Sequence, residues 1–178
     1  MKQLLKHWKK LLNTECVVLG IGYHKVYPIF RNGSGSLRMA ADRKYVDSQI
    51  ADCDNIEILL RDPAERFISG FNNYCYRNSL NIHETLEMVE KGQLVDRHFS
   101  PQCVWLLHLY KHYKGKVTLR SFEHLEQITT INERIEPFKK DNVTPCKELV
   151  DMDRPLMQLV GQTLSIGTVI GEYTNGMS

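Results

Sequence analysis

The chain contains 178 residues, with 23 lysines and arginines against 21 aspartates and glutamates and a formal net charge of +2. That near-neutral balance is atypical of a protein that coats nucleic acid, so we expect no nucleic-acid partner. A hydrophobic fraction of 42% and a charged fraction of 25% are ordinary for a soluble globular protein and exclude collagen-like, disordered and coiled-coil chains. The length predicts one domain over residues 1–178 that buries a core without disulfides.

The N-terminus and the cysteines indicate the cellular compartment that we expect for the chain. Residues 1–13 place leucines and Trp8 at helical spacing between lysines, which predicts an amphipathic helix packed on the domain, with membrane-surface binding as the alternative. No apolar run approaches the ~20 residues that cross a bilayer, so we expect no transmembrane segment. The five cysteines are scattered without C-x-x-C spacing, which indicates neither a disulfide framework nor a zinc site and favours a reducing, cytoplasmic setting.

Two strand–turn–helix units come first along the chain. Residues 25–30 are rich in β-forming residues and stop at a Gly/Ser turn over residues 31–36, after which a helix is predicted over 37–44. Residues 56–60 form a second apolar strand. Pro63 suits the first turn of the helix predicted over 64–77, because its missing N–H is not needed there.

The second half continues the alternation. It predicts a third strand over residues 116–120, a loop over 141–145, and helices over 83–91, 101–113, 122–128, 131–140 and 154–164. No pattern places the tail, residues 165–178. Strands separated by helices predict an α/β fold in which helices flank both faces of a parallel sheet.

Candidate ligand-binding groups follow the first two strands, where open parallel sheets bind their ligands. The turn at residues 31–36 offers Arg31, two serine hydroxyls and backbone N–H groups to an anion, although glycines also serve a plain turn. It is not a Walker A loop, since no lysine follows its last glycine. After the second strand, Arg61 and Ser69 can bind a phosphate, and a surface ion pair is the alternative role of Arg61.

Four segments together carry a family resemblance. Residues 30–37 read F-R-N-G-S-G-S-L, residues 61–69 read R-D-P-A-E-R-F-I-S, residues 96–102 read D-R-H-F-S-P-Q, and residues 122–125 read F-E-H-L. In this order they resemble the PAPS-dependent sulfotransferases, in which PAPS is 3′-phosphoadenosine 5′-phosphosulfate. Within that family the third segment is most similar to the Golgi-type carbohydrate sulfotransferases. The resemblance covers roughly residues 25–164.

The resemblance implies a three-layer, P-loop-like fold and PAPS as the sulfuryl donor, with no metal expected. Its first motif holds the 5′-phosphosulfate, and its second binds the 3′-phosphate through its first arginine and its serine. The implied donor-binding residues are Arg31, Asn32, Gly33, Ser34, Gly35, Ser36, Leu37, Arg61 and Ser69. The family loop usually has lysine where Arg31 stands. Arg31 keeps the positive charge that stabilises the leaving group, but its planar guanidinium differs from a point-charge ammonium.

His98 is the candidate base, because an imidazole titrates near neutrality and can take the proton of an acceptor hydroxyl. A role in ordering the loop before Pro101 is the alternative. Glu123 is a second candidate base, and His124 is interpreted as structural. His108 and His112 have the i, i+4 spacing of a metal clasp but no third ligand, so a core or surface role is favoured.

The resemblance implies a sulfotransferase that moves a sulfuryl group from PAPS to a hydroxyl on a carbohydrate or another small molecule. Two alternatives stay open: a nucleotide-dependent kinase, and a non-catalytic nucleotide-binding module of the same fold. Since the chain is short for the family, we expect small acceptor-binding insertions. A basic loop that includes Lys139, Lys140, Asn142 and Lys147 is interpreted as a solvated charge run, and closure over the nucleotide is the alternative.

Overall fold

The computed structural model describes residues 2–129 and 143–175. The strands of these residues are Val17–Ile21 (β1), His24–Val26 (β2), Arg43–Val46 (β3), Asn55–Leu60 (β4), Lys116–Ser121 (β5) and Thr163–Ser165 (β6). The helices are Lys2–Leu12 (α1), Ser34–Ala40 (α2), Ser48–Ala51 (α3), Pro63–Arg77 (α4), Ile82–Glu90 (α5), Gln102–His112 (α6), Leu125–Thr129 (α7), Lys147–Asp151 (α8), Arg154–Met157 (α9) and Ile166–Asn175 (α10), with a 3₁₀ turn at Phe122–His124.

The strands form one open sheet in the order β3-β1-β2-β4-β5-β6, with helices against both faces. The α/β prediction is confirmed, but the sheet is mixed and not parallel throughout. Only β2, β4 and β5 are parallel neighbours. β1 and β2 form a hairpin across Gly22 (φ 56°), and a connection that short allows only antiparallel pairing. β3 and β6 also pair antiparallel with their neighbours.

Several predicted elements are confirmed and others need correction. The strands at 56–60 and 116–120 and the helices at 64–77, 83–91 and 101–113 are present within one or two residues. The predicted strand 25–30 is shorter, since the ladder ends at Val26, just before Pro28, which has no N–H to donate. The predicted helix 37–44 begins at Ser34 and ends at Ala40, because the next residues pair with β1 as β3.

The C-terminal quarter also differs from the prediction. The predicted helix 154–164 is wrong: α9 ends at Met157, Gly161 adopts a left-handed backbone (φ 86°), and β6 follows. The tail, for which no element was predicted, contains α10, which packs against α6 and buries Ile166, Val169 and Tyr173. The helix predicted at 131–140 lies outside the described residues. None of the described helices combines the length and apolar character that crossing a membrane requires.

The core lies on both faces of the central strand β4. Ile56, Ile58 and Leu60 join the larger cluster, which includes α6 and α10, whereas Leu59 joins a cluster with α2 and α7. All four side chains are buried, as expected for a strand covered on both faces. Full burial of such side chains contributes roughly 1.5–3 kcal/mol each. The site residues described below therefore follow a strand that is buried on both faces.

A buried imidazole predicts the pH dependence of stability. His108 in α6 accepts a hydrogen bond from the Tyr27 hydroxyl at 2.6 Å and donates to the Thr14 carbonyl at 3.0 Å. Burial lowers the pKa of His108 in the folded protein, so the unfolded chain binds a proton first as the pH falls through about 6.5. We expect the free energy of unfolding to decrease below that pH.

Urea unfolding between pH 5 and 7.5 measures this effect, with His108→Gln as the comparison. The slope of stability against pH is expected to be shallower in the variant, whatever its absolute stability. His7, whose pKa burial also lowers, keeps part of the slope in both proteins. Equal slopes in the two proteins would contradict the assignment to His108.

Candidate functional site

Three parallel strands end at one edge of the sheet and deliver the predicted residues there. Arg61 directly follows β4 and Phe122 directly follows β5, and the Arg61 guanidinium lies 5.0 Å from the centre of the Phe122 ring. The turn after β2 meets the same edge, because the Asn32 side chain donates to the Leu59 carbonyl of β4 at 2.8 Å. The sequence-predicted segments around Arg31 and Arg61 are thus brought together.

The turn before α2 has an unusual backbone. Arg31 (φ 68°) and Gly33 (φ 74°) both lie in the left-handed region. Glycine is required at position 33, because a Cβ there would lie 2.6 Å from a Leu125 methyl carbon. A non-glycine residue in this region is uncommon, and such residues concentrate at ligand sites. Helix α2 then begins at Ser34.

The remaining residues of the predicted loop divide between solvent and core. Gly35 is exposed and Ser34 is half-buried, so both reach the surface of the turn. Ser36 and Leu37 are buried, and Leu37 packs in the cluster that contains Leu59. The accessible surface of the turn is therefore formed by Ser34 and Gly35, and Leu37 anchors the turn to the sheet.

Gln102 connects the turn to the end of β4. Its side-chain oxygen accepts hydrogen bonds from Asn32 Nδ2 at 2.6 Å and from the Arg61 backbone N–H at 3.0 Å, while its Nε2 donates to the Arg61 carbonyl at 3.0 Å. Gln102 is fully buried and Asn32 is 1% exposed. The Asn32 side chain therefore holds the turn in place from the inside.

Arg31 and Ser69 are in direct contact. The Arg31 guanidinium donates to Ser69 Oγ at 2.5 Å through Nη2 and at 3.2 Å through Nε. Arg61, only 6% exposed, pairs with Glu65 at 3.4 Å. The ion pair weighed for Arg61 from the sequence is present, and it leaves the guanidinium at the same sheet edge as Ser69.

A third arginine lies among these groups. Arg66 in α4 is 2% exposed and donates from Nε to the Phe30 carbonyl at 3.1 Å and from Nη1 to the Ser100 carbonyl. Its Nη2 is buried with no hydrogen-bond acceptor among the described residues. Burial, together with the positive charges of Arg31 and Arg61, lowers the pKa of Arg66 to about 10, so it stays charged at neutral pH. Three guanidinium groups close enough to repel one another are well suited to bind an anion.

His98 is oriented by a neighbouring carboxylate. Its Nδ1 lies 2.5 Å from Asp96 Oδ1, which also accepts the His98 backbone N–H at 2.9 Å. Burial disfavours the Asp96 carboxylate, but the hydrogen bonds from His98 outweigh it and lower the pKa of Asp96. An ionised Asp96 accepts the Nδ1 proton, which leaves Nε2 of a neutral His98 as a proton acceptor.

Helix α4 brings the His98 loop to the arginine cluster. At Gly70, next to Ser69, a Cβ atom would lie 1.9 Å from the His98 carbonyl oxygen, so only glycine permits this approach. The Phe30 ring, one residue before Arg31, meets the His98 ring edge-on at 5.5 Å. The three predicted segments, around residues 31, 69 and 98, therefore form one site.

A cavity of about 840 Å³ opens beside His98. It lies between α1, the segment that leads from β2 to Arg31, and the loop that carries His98. We call it the α1 cavity; its lining includes His7, Lys10, Tyr27, Phe30, His98 and Trp105. A volume of this size accommodates a small-molecule ligand. Since Arg31, Arg61, Arg66 and Ser69 do not line it, the α1 cavity adjoins the arginine cluster and is not part of it.

The other candidates lie elsewhere or have structural partners. Glu123 is exposed on the 3₁₀ turn, and the His124 ring lies 3.2 Å from the Ser121 carbonyl. His108 uses both ring nitrogens on Tyr27 and Thr14, which opposes the metal-clasp alternative. Lys147 is exposed at the start of α8, and the rest of the basic loop, Lys139, Lys140 and Asn142, lies outside the described residues.

Sequence reasoning missed a carboxylate that caps α6. Asp153 is 2% exposed and accepts the backbone N–H groups of Gln102 at 2.5 Å and Cys103 at 2.8 Å. A carboxylate at a helix N-terminus satisfies donors that lack intrahelical partners. This cap holds Gln102, and through it the Arg61 backbone. Fifty residues separate Asp153 from Cys103, so no local pattern could reveal the pairing.

Neither the known family models, nor the curated proteins, nor the solved structures contain a match to the chain. What the site can bind and catalyse therefore follows from its own residues. The site contains the guanidiniums of Arg31, Arg61 and Arg66 together with the Ser69 hydroxyl. Beside them, the His98 imidazole is oriented by Asp96 and lines the adjoining cavity.

Proposed function

We propose that the protein is a PAPS-dependent sulfotransferase that transfers a sulfuryl group to a hydroxyl of a small acceptor, in keeping with its motif resemblance. The observation that carries the proposal is the contact between Arg31 and Ser69, which joins the two segments that resemble donor-binding motifs. A P-loop-like arrangement, with the turn at residues 31–36 as the phosphosulfate cradle, belongs to the same proposal.

The donor is held by the arginine cluster. PAPS carries a 3′-phosphate and a 5′-phosphosulfate, and guanidiniums bind such groups through paired, charge-assisted hydrogen bonds. Arg61 and Ser69 are assigned to the 3′-phosphate and the turn from Arg31 to Leu37 to the phosphosulfate. The buried Arg66, whose Nη2 lacks an acceptor among the described residues, adds positive charge to the cluster.

Catalysis needs a base and a cation on opposite sides of the sulfuryl group. His98 Nε2 takes the proton from the acceptor hydroxyl while that oxygen forms its bond to sulfur. The bond between sulfur and the bridging oxygen breaks, and the electron pair leaves on the 5′-phosphate of PAP (3′-phosphoadenosine 5′-phosphate). Arg31 stabilises the charge that develops there, as electrostatic catalysis requires. The products are the sulfated acceptor, PAP and a proton held on His98.

Ligand-dependent thermal unfolding tests the donor assignment. We expect PAP at about 100 times its dissociation constant to raise the Tm by about 5–10 °C, without magnesium. AMP, which lacks the 3′-phosphate, is expected to give a smaller rise at the same concentration. In Arg61→Gln, PAP affinity falls by about 10–100-fold and the preference for PAP over AMP disappears, because Arg61 is assigned to the 3′-phosphate.

Two results would overturn the proposal in different ways. A larger Tm increase with ATP and magnesium than with PAP would indicate a kinase. PAP binding without sulfuryl transfer to any member of a broad panel of hydroxyl acceptors would indicate a nucleotide-binding module. Arg77→Gln, at an exposed position on α4, removes the same charge outside the site and should bind PAP like the natural protein.

A further inference from the structure

The α1 cavity contains more positive than negative charge. Its wall includes Lys10, Arg38 and Arg97 as cations, and Glu15 and Asp96 as the carboxylates. Asp96 is engaged by His98 and is unavailable to a ligand. His7 adds no charge at neutral pH, because burial lowers its pKa. Three cations thus face two carboxylates on the wall of the cavity, and one of these carboxylates, Asp96, is already hydrogen-bonded to His98.

The two arginines are concentrated at one aromatic ring. The guanidinium carbon of Arg97 lies 4.7 Å from the centre of the Phe30 ring, and that of Arg38 lies 5.9 Å from it. Both distances are within the range of a cation–π contact. Neither arginine forms an ion pair with a carboxylate anywhere in the described part of the chain. Their charges are thus held at the cavity wall by an aromatic ring and are not neutralised by the protein.

Aromatic side chains line the cavity beside the base. Phe30 stacks on Trp105 with ring centres 5.4 Å apart and an angle of 25° between the planes, and the Tyr27 side chain completes the aromatic wall. His98 meets Phe30 edge-on at 5.5 Å. A ring-shaped ligand lying against these aromatics places its polar substituents within reach of His98 and of the two guanidiniums.

From this juxtaposition we infer that the α1 cavity binds the acceptor, and that the acceptor is a hydroxyl-bearing ring compound that itself carries a negative charge. The inference rests on the proposed sulfotransferase function and narrows its acceptor from hydroxyl compounds in general to anionic ones. Arg38 and Arg97 bind the anionic group, the aromatic wall packs against the ring, and His98 receives the hydroxyl proton. Two classes of compound combine a ring, a hydroxyl and a negative charge: acidic sugars and aromatic hydroxy acids.

Binding to the PAP-loaded protein tests the inference without requiring turnover. Two matched pairs serve as probes: 4-nitrophenyl glucuronide against 4-nitrophenyl glucoside, and 4-hydroxybenzoate against 4-hydroxybenzyl alcohol. Within at least one pair, calorimetry is expected to give about tenfold tighter binding of the anionic member. The pair that shows this difference distinguishes the acidic sugar from the aromatic acid.

Variants that remove positive charge test whether Arg38 and Arg97 cause the preference for the anionic probe. In the double variant Arg38→Gln/Arg97→Gln the preference for the anionic member is expected to fall to about twofold or less, with affinity for the neutral member unchanged. Arg77→Gln, an exposed arginine outside the cavity, should keep the preference. PAP affinity should be the same in all three proteins, which shows that each variant is folded.

The outcomes separate this inference from the proposed function. Equal binding of both members in each pair, binding of neither, or a preference that survives the double variant would overturn the anionic acceptor while leaving PAP binding intact. Absence of PAP binding by the natural protein would instead overturn the sulfotransferase proposal itself.

Discussion

Replacement of His98 by glutamine is expected to lower the turnover of PAPS by about 10²–10⁴-fold, the usual contribution of a positioned general base. Glutamine keeps a polar side chain of similar length but cannot take a proton. The measurement is PAP release at saturating PAPS, with the acceptor that supports the fastest turnover by the natural protein. PAP affinity should stay within about twofold of the natural value, because His98 lies beside the arginine cluster and not in it.

A second histidine provides the matched control. His124 lies on the 3₁₀ turn, where its ring contacts the Ser121 carbonyl at 3.2 Å. His124→Gln makes the same chemical change away from His98 and should retain turnover. Near-natural turnover by His98→Gln would rule out a catalytic role and leave His98 as a residue that orders its loop.

Replacement of Arg66 by methionine is expected to lower the free energy of unfolding by about 3–5 kcal/mol. The guanidinium is fully buried, and methionine leaves the Phe30 and Ser100 carbonyls without their donor. It also removes the cation nearest to the buried carboxylate of Asp153, whose charge lowers the cost of burying Arg66. Urea unfolding monitored by tryptophan fluorescence measures the change.

Arg77→Met is the control for this substitution. Arg77 is exposed at the last turn of the same helix, and surface substitutions of this kind usually change stability by no more than about 0.5 kcal/mol. Arg66→Lys should fall between the two, since one ammonium replaces a guanidinium that reaches two carbonyls. A loss below about 1 kcal/mol in Arg66→Met would show that Arg66 does not hold the two loops together.

The parts of the fold that were predicted correctly have strong local signals. β4 is a mainly apolar strand that ends just before Arg61, and α4 begins with Pro63, so both boundaries are visible in the chain. Three antiparallel strands were missed. β1, Val17–Ile21, is an apolar run whose local signal was overlooked. β3 has the polar sequence Arg43–Val46 and is a strand only because β1 lies beside it. β6 has only three residues and depends on β5 in the same way.

In the candidate site, too, local motifs were predicted and long-range contacts were not. Arg31, Arg61, Ser69 and His98 stand in motifs with fixed spacing, from which the sequence predicts them as site residues. The contacts that hold them in place were not predicted, even though Arg66 itself stands in the second motif. Arg66 reaches Phe30 and Ser100 across more than thirty residues, and the Asp153 cap reaches α6 across fifty. Such contacts are properties of the packed structure, so a single sequence gives no direct signal for them.

Helix α4 lies between the turn that carries Arg31 and the loop that carries His98, and it contacts both. Arg66 holds the backbone of both loops, and one turn later Ser69 contacts Arg31 while Gly70 adjoins the His98 carbonyl. Residues 66–70, about one turn of a single helix, thus set the spacing between the segment that carries Arg31 and the loop that carries His98. Under the proposed function, that one turn would determine the distance between the bound donor and the base, and a substitution that shifts it would change both sides of the site together.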